Sequence, residues 1–211
     1  MDKKYKFILL DFIGVLFLLF GIIAISNSMY NQNPMQILFL CYIGLILMGF
    51  GILTKRSYLV MSQVYILLIP HLLWTIDFFY QLILNKPLWG VTDYFFIDNF
   101  FIIGNIISLQ HIFAIPIALY AVSLIGLKRK DVWILSFVQI TIIYILVSLL
   151  TLSETNINCV FSSCINVHFG VPWIPYRLTW FIAIFLMTFF SSVLLNLIPL
   201  IKVKNDKKNK R

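Results

Sequence analysis

Two histidines and an aspartate stand inside apolar runs of this chain, in "HLLWTIDFF" (residues 71–79) and "SLQHIFAIPIALY" (residues 108–120). His71, Asp77 and His111, with the hydroxyls of Thr75 and Ser108, are residue types suited to acid–base work. An imidazole takes up and returns a proton near neutral pH, a carboxylate can orient it, and a hydroxyl can serve as nucleophile. Ionisable groups in an apolar solvent are costly and turn towards a protein interior or a polar cavity. Gly104, Ser108 and His111 fall at i, i+4 and i+7, one face of a helix, with Asn105 on its flank. His71, Trp74, Thr75 and Phe78 share a face of another helix. Asp77 lies six residues beyond His71, about 120° around an ideal helix, so those two side chains do not stack. The same set could instead form a proton relay or ligand site, or simply join helices by hydrogen bonds.

The elements that must carry these residues follow from composition. Hydrophobic residues make up 61% of the 211-residue chain and charged residues 11%, with a mean hydropathy of +0.96. A soluble domain is nearer half apolar and a quarter charged. Continuous apolar runs of bilayer-crossing length predict an all-α integral membrane protein, whereas barrel strands would alternate. Six spans are expected: Phe7–Ser26, Met35–Thr54, Tyr58–Leu84, Phe100–Gly126, Val132–Thr151 and Leu178–Ile201. They form a single transmembrane domain over residues 1–201, followed by a basic tail, 202–211. The third and fourth runs exceed a straight crossing and contain Pro70 and Pro116, so tilts or kinks are expected. No internal repeat, nucleotide-binding loop or metalloprotease motif is present.

The net charge of +8 is a topology signal rather than a nucleic-acid footprint. Lys3, Lys4, Lys6, Lys55, Arg56, Lys128, Arg129, Lys130, Lys202, Lys204, Lys207, Lys208, Lys210 and Arg211 all fall on one side of the six-span arrangement. These are 14 of the 16 basic residues; only Lys86 and Arg177 fall on the other side. The positive-inside rule then puts both termini in the cytoplasm. Abundant Ile, Phe, Asn and Lys point to an AT-rich bacterial genome, hence to the inner membrane. "MDKKYK" and "AIS" have some signal-peptide character, but the first apolar run is too long and contains Asp11, so it reads as a retained span. Asp11 itself is an interfacial acid in this reading.

Between the fifth and sixth spans runs "SETNINCVFSSCINVHFGVPWIPYR". This loop carries Glu154, Asn156, Asn158 and His168, and an aromatic anchor of Pro172, Trp173, Pro175 and Tyr176. It is placed to cap an outward-opening cavity between spans three and four. Cys159 and Cys164 are candidates for a disulfide on an oxidising side, and Cys41 is an ordinary small apolar residue. Three histidines with Asp77 and Glu154 are ligand types for zinc, but no spacing supports a site, so neither metal nor cofactor is expected. Asp98 and Asn99 can cap the fourth span.

The motifs "HLLWTIDFF" and "NINCVF" resemble paired motifs of multi-pass bacterial membrane proteins. The order "IPHLL", "SLQHIFAIPIALY", "NINCVF", "GVPWIPY", over roughly residues 66–180, is similar to the YwaF-type integral membrane family. That family has a vertebrate branch implicated in acyl transfer among ether phospholipids. The resemblance implies His111 as a catalytic base, and Asn156, Asn158 and Trp173 as positions of a loop motif. Where the acyltransferase branch has its proposed nucleophilic cysteine this chain has Leu73. Thr75, Ser108 or an activated water would have to replace the thiol. The expectation is a lipid-directed acyl hydrolase or acyltransferase, with His111, His71, Asp77, Ser108 and Thr75 at its centre and Asn105 beside them. Membrane lipids are the expected partners, and nucleic acid is not. A small transporter or binding protein using the same residues, or a structural protein, are the alternatives.

Overall fold

An apolar segment in an apolar solvent must close its backbone hydrogen bonds within itself, and the helix does so. The computed structural model describes residues 2–96, 102–127, 131–165 and 173–197. It is all-helical, 80% helix and without strands among the described residues. In order these are α1 (Lys3–Tyr30), α2 (Leu40–Leu53), α3 (Ser57–Leu84), α4 (Ile102–Ser108), α5 (Gln110–Ile125), α6 (Val132–Leu150) and α7 (Tyr176–Leu197), with 3₁₀ turns at Pro34–Leu38, Asp93–Phe95 and Ile157–Cys159. Five segments are long and apolar enough to cross a membrane: α1, α3, α4–α5 taken together from Ile103 to Ile125, α6 and α7. The expected cap at Asp98 and Asn99, the basic residues 128–130, His168, Pro172 and the tail 202–211 lie outside the described residues.

The expected second span, Met35–Thr54, is not one helix. A 3₁₀ turn over Pro34–Leu38 is separated from α2 by Phe39 in extended backbone, φ −61° and ψ 128°. A partner for the break lies far along the chain. The Asn158 carboxamide donates to the Leu38 carbonyl at 2.8 Å and accepts from the Leu40 N–H at 2.9 Å. It thus takes one carbonyl and one N–H at the point where the helix breaks. What remains as α2 is 14 residues, about 21 Å long, against a hydrocarbon core of about 30 Å.

α3 is the axis of the bundle, with α2, α5, α6 and α7 packed around it. From Val60 to Leu68 every residue is buried, so the helix is enclosed on all sides. Beyond Pro70 the pattern changes. Only His71, Trp74, Asp77 and Phe78 stay buried, while Leu72, Ile76, Phe79 and Ile83 are exposed on the opposite side. The first half of α3 is therefore core, and its second half has one buried face.

Neighbouring helices are fastened by polar ties and small residues. Gln63 donates to Gln139 at 2.9 Å, and Ser136 donates to the Ser62 carbonyl at 2.9 Å, joining α3 to α6. Ser57 donates to the carbonyl of Gly126 at 2.8 Å, joining the start of α3 to the end of α5. Tyr144 stacks on Trp180 and Phe137 packs edge-on against Phe185 between α6 and α7. Asp11 pairs with Lys55 from the α2–α3 turn, an exposed contact of small worth. α1 and α2 come closest at glycines. A Cβ on Gly49 would lie 2.9 Å from both the Gly14 carbonyl oxygen and the Leu18 nitrogen. Backbone cannot yield as a flexible side chain can, so Gly49→Ala is expected to destabilise the fold by about 1–3 kcal/mol, the usual cost of overpacking. The check is a lowered thermal midpoint in detergent, with Cys41→Ala as a control substitution on the same helix.

Candidate functional site

A proline-containing helix and an interrupted one bring the site together. α3 carries Pro70 just before His71, and proline withholds a backbone donor from the preceding turn. Across from it α4 passes into α5 through Leu109, where the Ile112 N–H donates to Leu109, one residue short of the α-helical partner. That partner would have been Ser108. Its carbonyl instead faces Nδ1 of His111 at 2.6 Å. A carbonyl can only accept, so Nδ1 carries the proton and Nε2 keeps the lone pair.

His71 lies against His111, with ring centroids 4.5 Å apart and planes tilted by 57°. His71 is 3% exposed, and neither of its ring nitrogens has a hydrogen-bond partner among the described residues. Trp74 stacks on the His111 ring at 4.7 Å and on Phe78 at 5.1 Å. The Trp74 indole N–H donates to the Tyr94 hydroxyl at 2.9 Å, and Tyr94 donates to Ser108 Oγ at 3.2 Å. Burial raises the Tyr94 hydroxyl above its ordinary pKa, so it stays a donor. Thr75 makes a long contact, 3.5 Å, to the His111 carbonyl. The two hydroxyls expected as nucleophiles are thus held near His111 by Tyr94 and by backbone, and neither has a hydrogen bond to an imidazole nitrogen.

Asp77 is fully buried and does not serve the histidines. Its Oδ1 accepts from the backbone N–H groups of Leu88, Trp89 and Gly90 at 3.0, 2.7 and 3.3 Å. Its Oδ2 accepts from the N–H and the hydroxyl of Thr92, both at 2.8 Å. Five donors on one carboxylate fold the loop after α3 back onto the helix that precedes it. Thr92 also reaches Gln81 at 3.1 Å, and Asn85 ends α3 in the left-handed region, φ 51°. This loop delivers Tyr94 and Phe95 over Trp74, so Asp77 acts on the site as a positioning residue.

The remaining candidates are dispersed. Among the described residues the buried Oδ1 of Asn105 has no partner, and the buried Gln110, next to His111, has neither amide atom bonded. Asn158 is committed to the head of α2. Asn156 accepts from the N–H groups of Phe161 and Ser162 and donates to Ser162, which shapes its own loop. Trp173 is 91% exposed beside α7. Among the described residues no group of three or more His, Cys, Asp or Glu side chains is arranged to hold a metal. Tyr94 and Thr92 were not apparent as site residues, since each matters through a loop fold that no local motif announces.

The Asp77 hub gives a direct expectation. Asp77→Ala takes the acceptor from four N–H groups, of which that of Thr92 is buried, and the buried one alone costs roughly 1–3 kcal/mol when unmet. Hydrogen exchange at residues 88–92 should speed up by at least about tenfold, while exchange in α6 stays as in the wild type. Against known proteins the chain stands apart: no family model, curated protein or solved structure matches it.

Proposed function

We propose that this is a six-span protein of the bacterial inner membrane, with both termini in the cytoplasm, and that His71 and His111 bind a proton or a small protonatable ligand during transport. The one-sided distribution of basic residues supports the orientation. For the sixth crossing, the five-residue 3₁₀ turn before α2 adds about 10 Å to the helix, enough to match the hydrocarbon core. The observation that carries the reading is the pair itself. Among the described residues one imidazole has both nitrogens unpartnered, and its neighbour has Nδ1 committed to the Ser108 carbonyl, which leaves the lone pair on Nε2. Such a pair can share one proton, while a second is repelled by the first. Trp74, stacked on His111, favours the cationic ring through its π face. The five bonds of Asp77 leave it no part in proton exchange with the pair.

Lipid-directed acyl hydrolysis or transfer is the second reading. It is favoured by the tautomer of His111, whose Nε2 is fixed as a base, and by the motif order similar to the YwaF-type family. With Leu73 at the cysteine position and both hydroxyls engaged, the base would act on water or on an acceptor alcohol.

Vesicles reconstituted with the protein and loaded with a pH-sensitive dye separate the two. An imposed pH gradient should collapse faster than in protein-free vesicles, and His71→Phe or His111→Gln should each abolish the excess. A wild-type rate equal to that of empty vesicles sinks the transport reading for protons. The acyl reading is tested by lipidomics of a deletion strain complemented with wild type or His111→Ala. Loss of a general base lowers turnover about 10²–10⁴-fold, so the variant should leave the deletion profile uncorrected; an unchanged lipid profile on deletion removes this reading.

A further inference from the structure

The loop between α6 and α7 holds chemistry that the histidine site does not use. Cys159 and Cys164 are bonded, with Cα atoms 5.5 Å apart. Cys164 is exposed and Cys159 half-buried. The Asn156 amide lies 3.6 Å from Cys164 Sγ as a hydrogen-bond donor. Asn156, Asn158 and Cys159 all have positive φ, 39°, 55° and 60°, a region that L residues other than glycine enter at a cost. The backbone on the Cys159 side is anchored twice. Tyr176 donates to the Cys159 carbonyl at 3.2 Å, and Asn158 clasps Leu38 and Leu40. Strain, an accessible sulfur and a donor to that sulfur meet on a segment whose neighbour decides where α2 begins.

We propose that the Cys159–Cys164 bond is a thiol-exchange site for a dithiol reductant, and that its opening releases Asn158 from the head of α2. A thiolate of the dithiol attacks the exposed Cys164 Sγ, and the bond to Cys159 breaks with its electron pair on Cys159 Sγ. The second thiolate of the dithiol then attacks its own sulfur in the mixed disulfide. It expels Cys164 as a thiolate, which the Asn156 N–H stabilises. The dithiol leaves as a cyclic disulfide, and its two protons end on Cys159 and Cys164. With the short ring open, residues 158 and 159 are free to return to negative φ. The Asn158 carboxamide then withdraws from Leu38 and Leu40, whose backbone groups are left to bond within a longer helix.

The test uses the full chain in nanodiscs, in a Cys41→Ala background, with dithiothreitol as the probe. Under native conditions about 1 mM reductant should open the bond within minutes, read as a two-label shift with a polyethylene glycol maleimide. Asn156→Asp keeps the acceptor for Phe161 and Ser162 but removes the donor, and should slow opening about tenfold. Reduction should also change hydrogen exchange in the peptide 38–42, while the peptide 60–68 of α3 keeps its protection and so reports an intact fold. A bond that opens only after denaturation overturns the exchange site. Opening with unchanged exchange at 38–42 overturns the link to α2, and an Asn156→Asp rate equal to wild type overturns the assigned role of Asn156.

Discussion

A buried backbone N–H or carbonyl must find a partner, and in an apolar surrounding there is little water to supply one. The bundle depends on how this constraint is met where its helices stop. Asp77 gathers the N–H groups of a returning loop. Asn158 takes the carbonyl and N–H on either side of Phe39. The Nδ1 of His111 takes the carbonyl left over at the α4–α5 turn. Three side chains with the look of a reactive centre therefore commit polar atoms to architecture. Among the described residues the polarity left uncommitted beside them includes Nε2 of His111, both nitrogens of His71 and the amide of Gln110.

That remainder sits where α3 changes character. Below Pro70 the helix is enclosed by neighbours, and nine consecutive residues from Val60 to Leu68 are buried. Above it a single face is covered, by α5 and the loop that Asp77 holds. A group at this transition is shielded on one side and within reach of the bundle surface on the other. His71 is buried yet only one residue from the exposed Leu72.

The helical architecture was legible in the sequence because crossing length is a property of apolar runs alone. The common face of Ser108 and His111 was legible from spacing; the approach of His111 to His71 depends on how two helices pack. Other features depend on partners that leave no local mark. The break before α2 is made by a residue 118 positions away, while Pro34 alone would only start a helix. The role of Asp77 is invisible because its partners are backbone N–H groups, which any loop sequence provides; Thr92 alone among them contributes a side chain. Helix pitch did exclude a direct stack of His71 with Asp77, but it could not say where the carboxylate would turn.

The clasp of Asn158 on Leu38 and Leu40 also has a consequence for biogenesis. Residues 34–53 leave the ribosome long before residue 158 is made, so this stretch first exists without the side chain that later holds Leu38 and Leu40. During that interval its backbone groups are free to bond within one continuous helix. The broken form is imposed only when the α6–α7 loop arrives, after α3 and α6 are in place. The same twenty-residue stretch thus meets different hydrogen-bond partners before and after the α6–α7 loop is made.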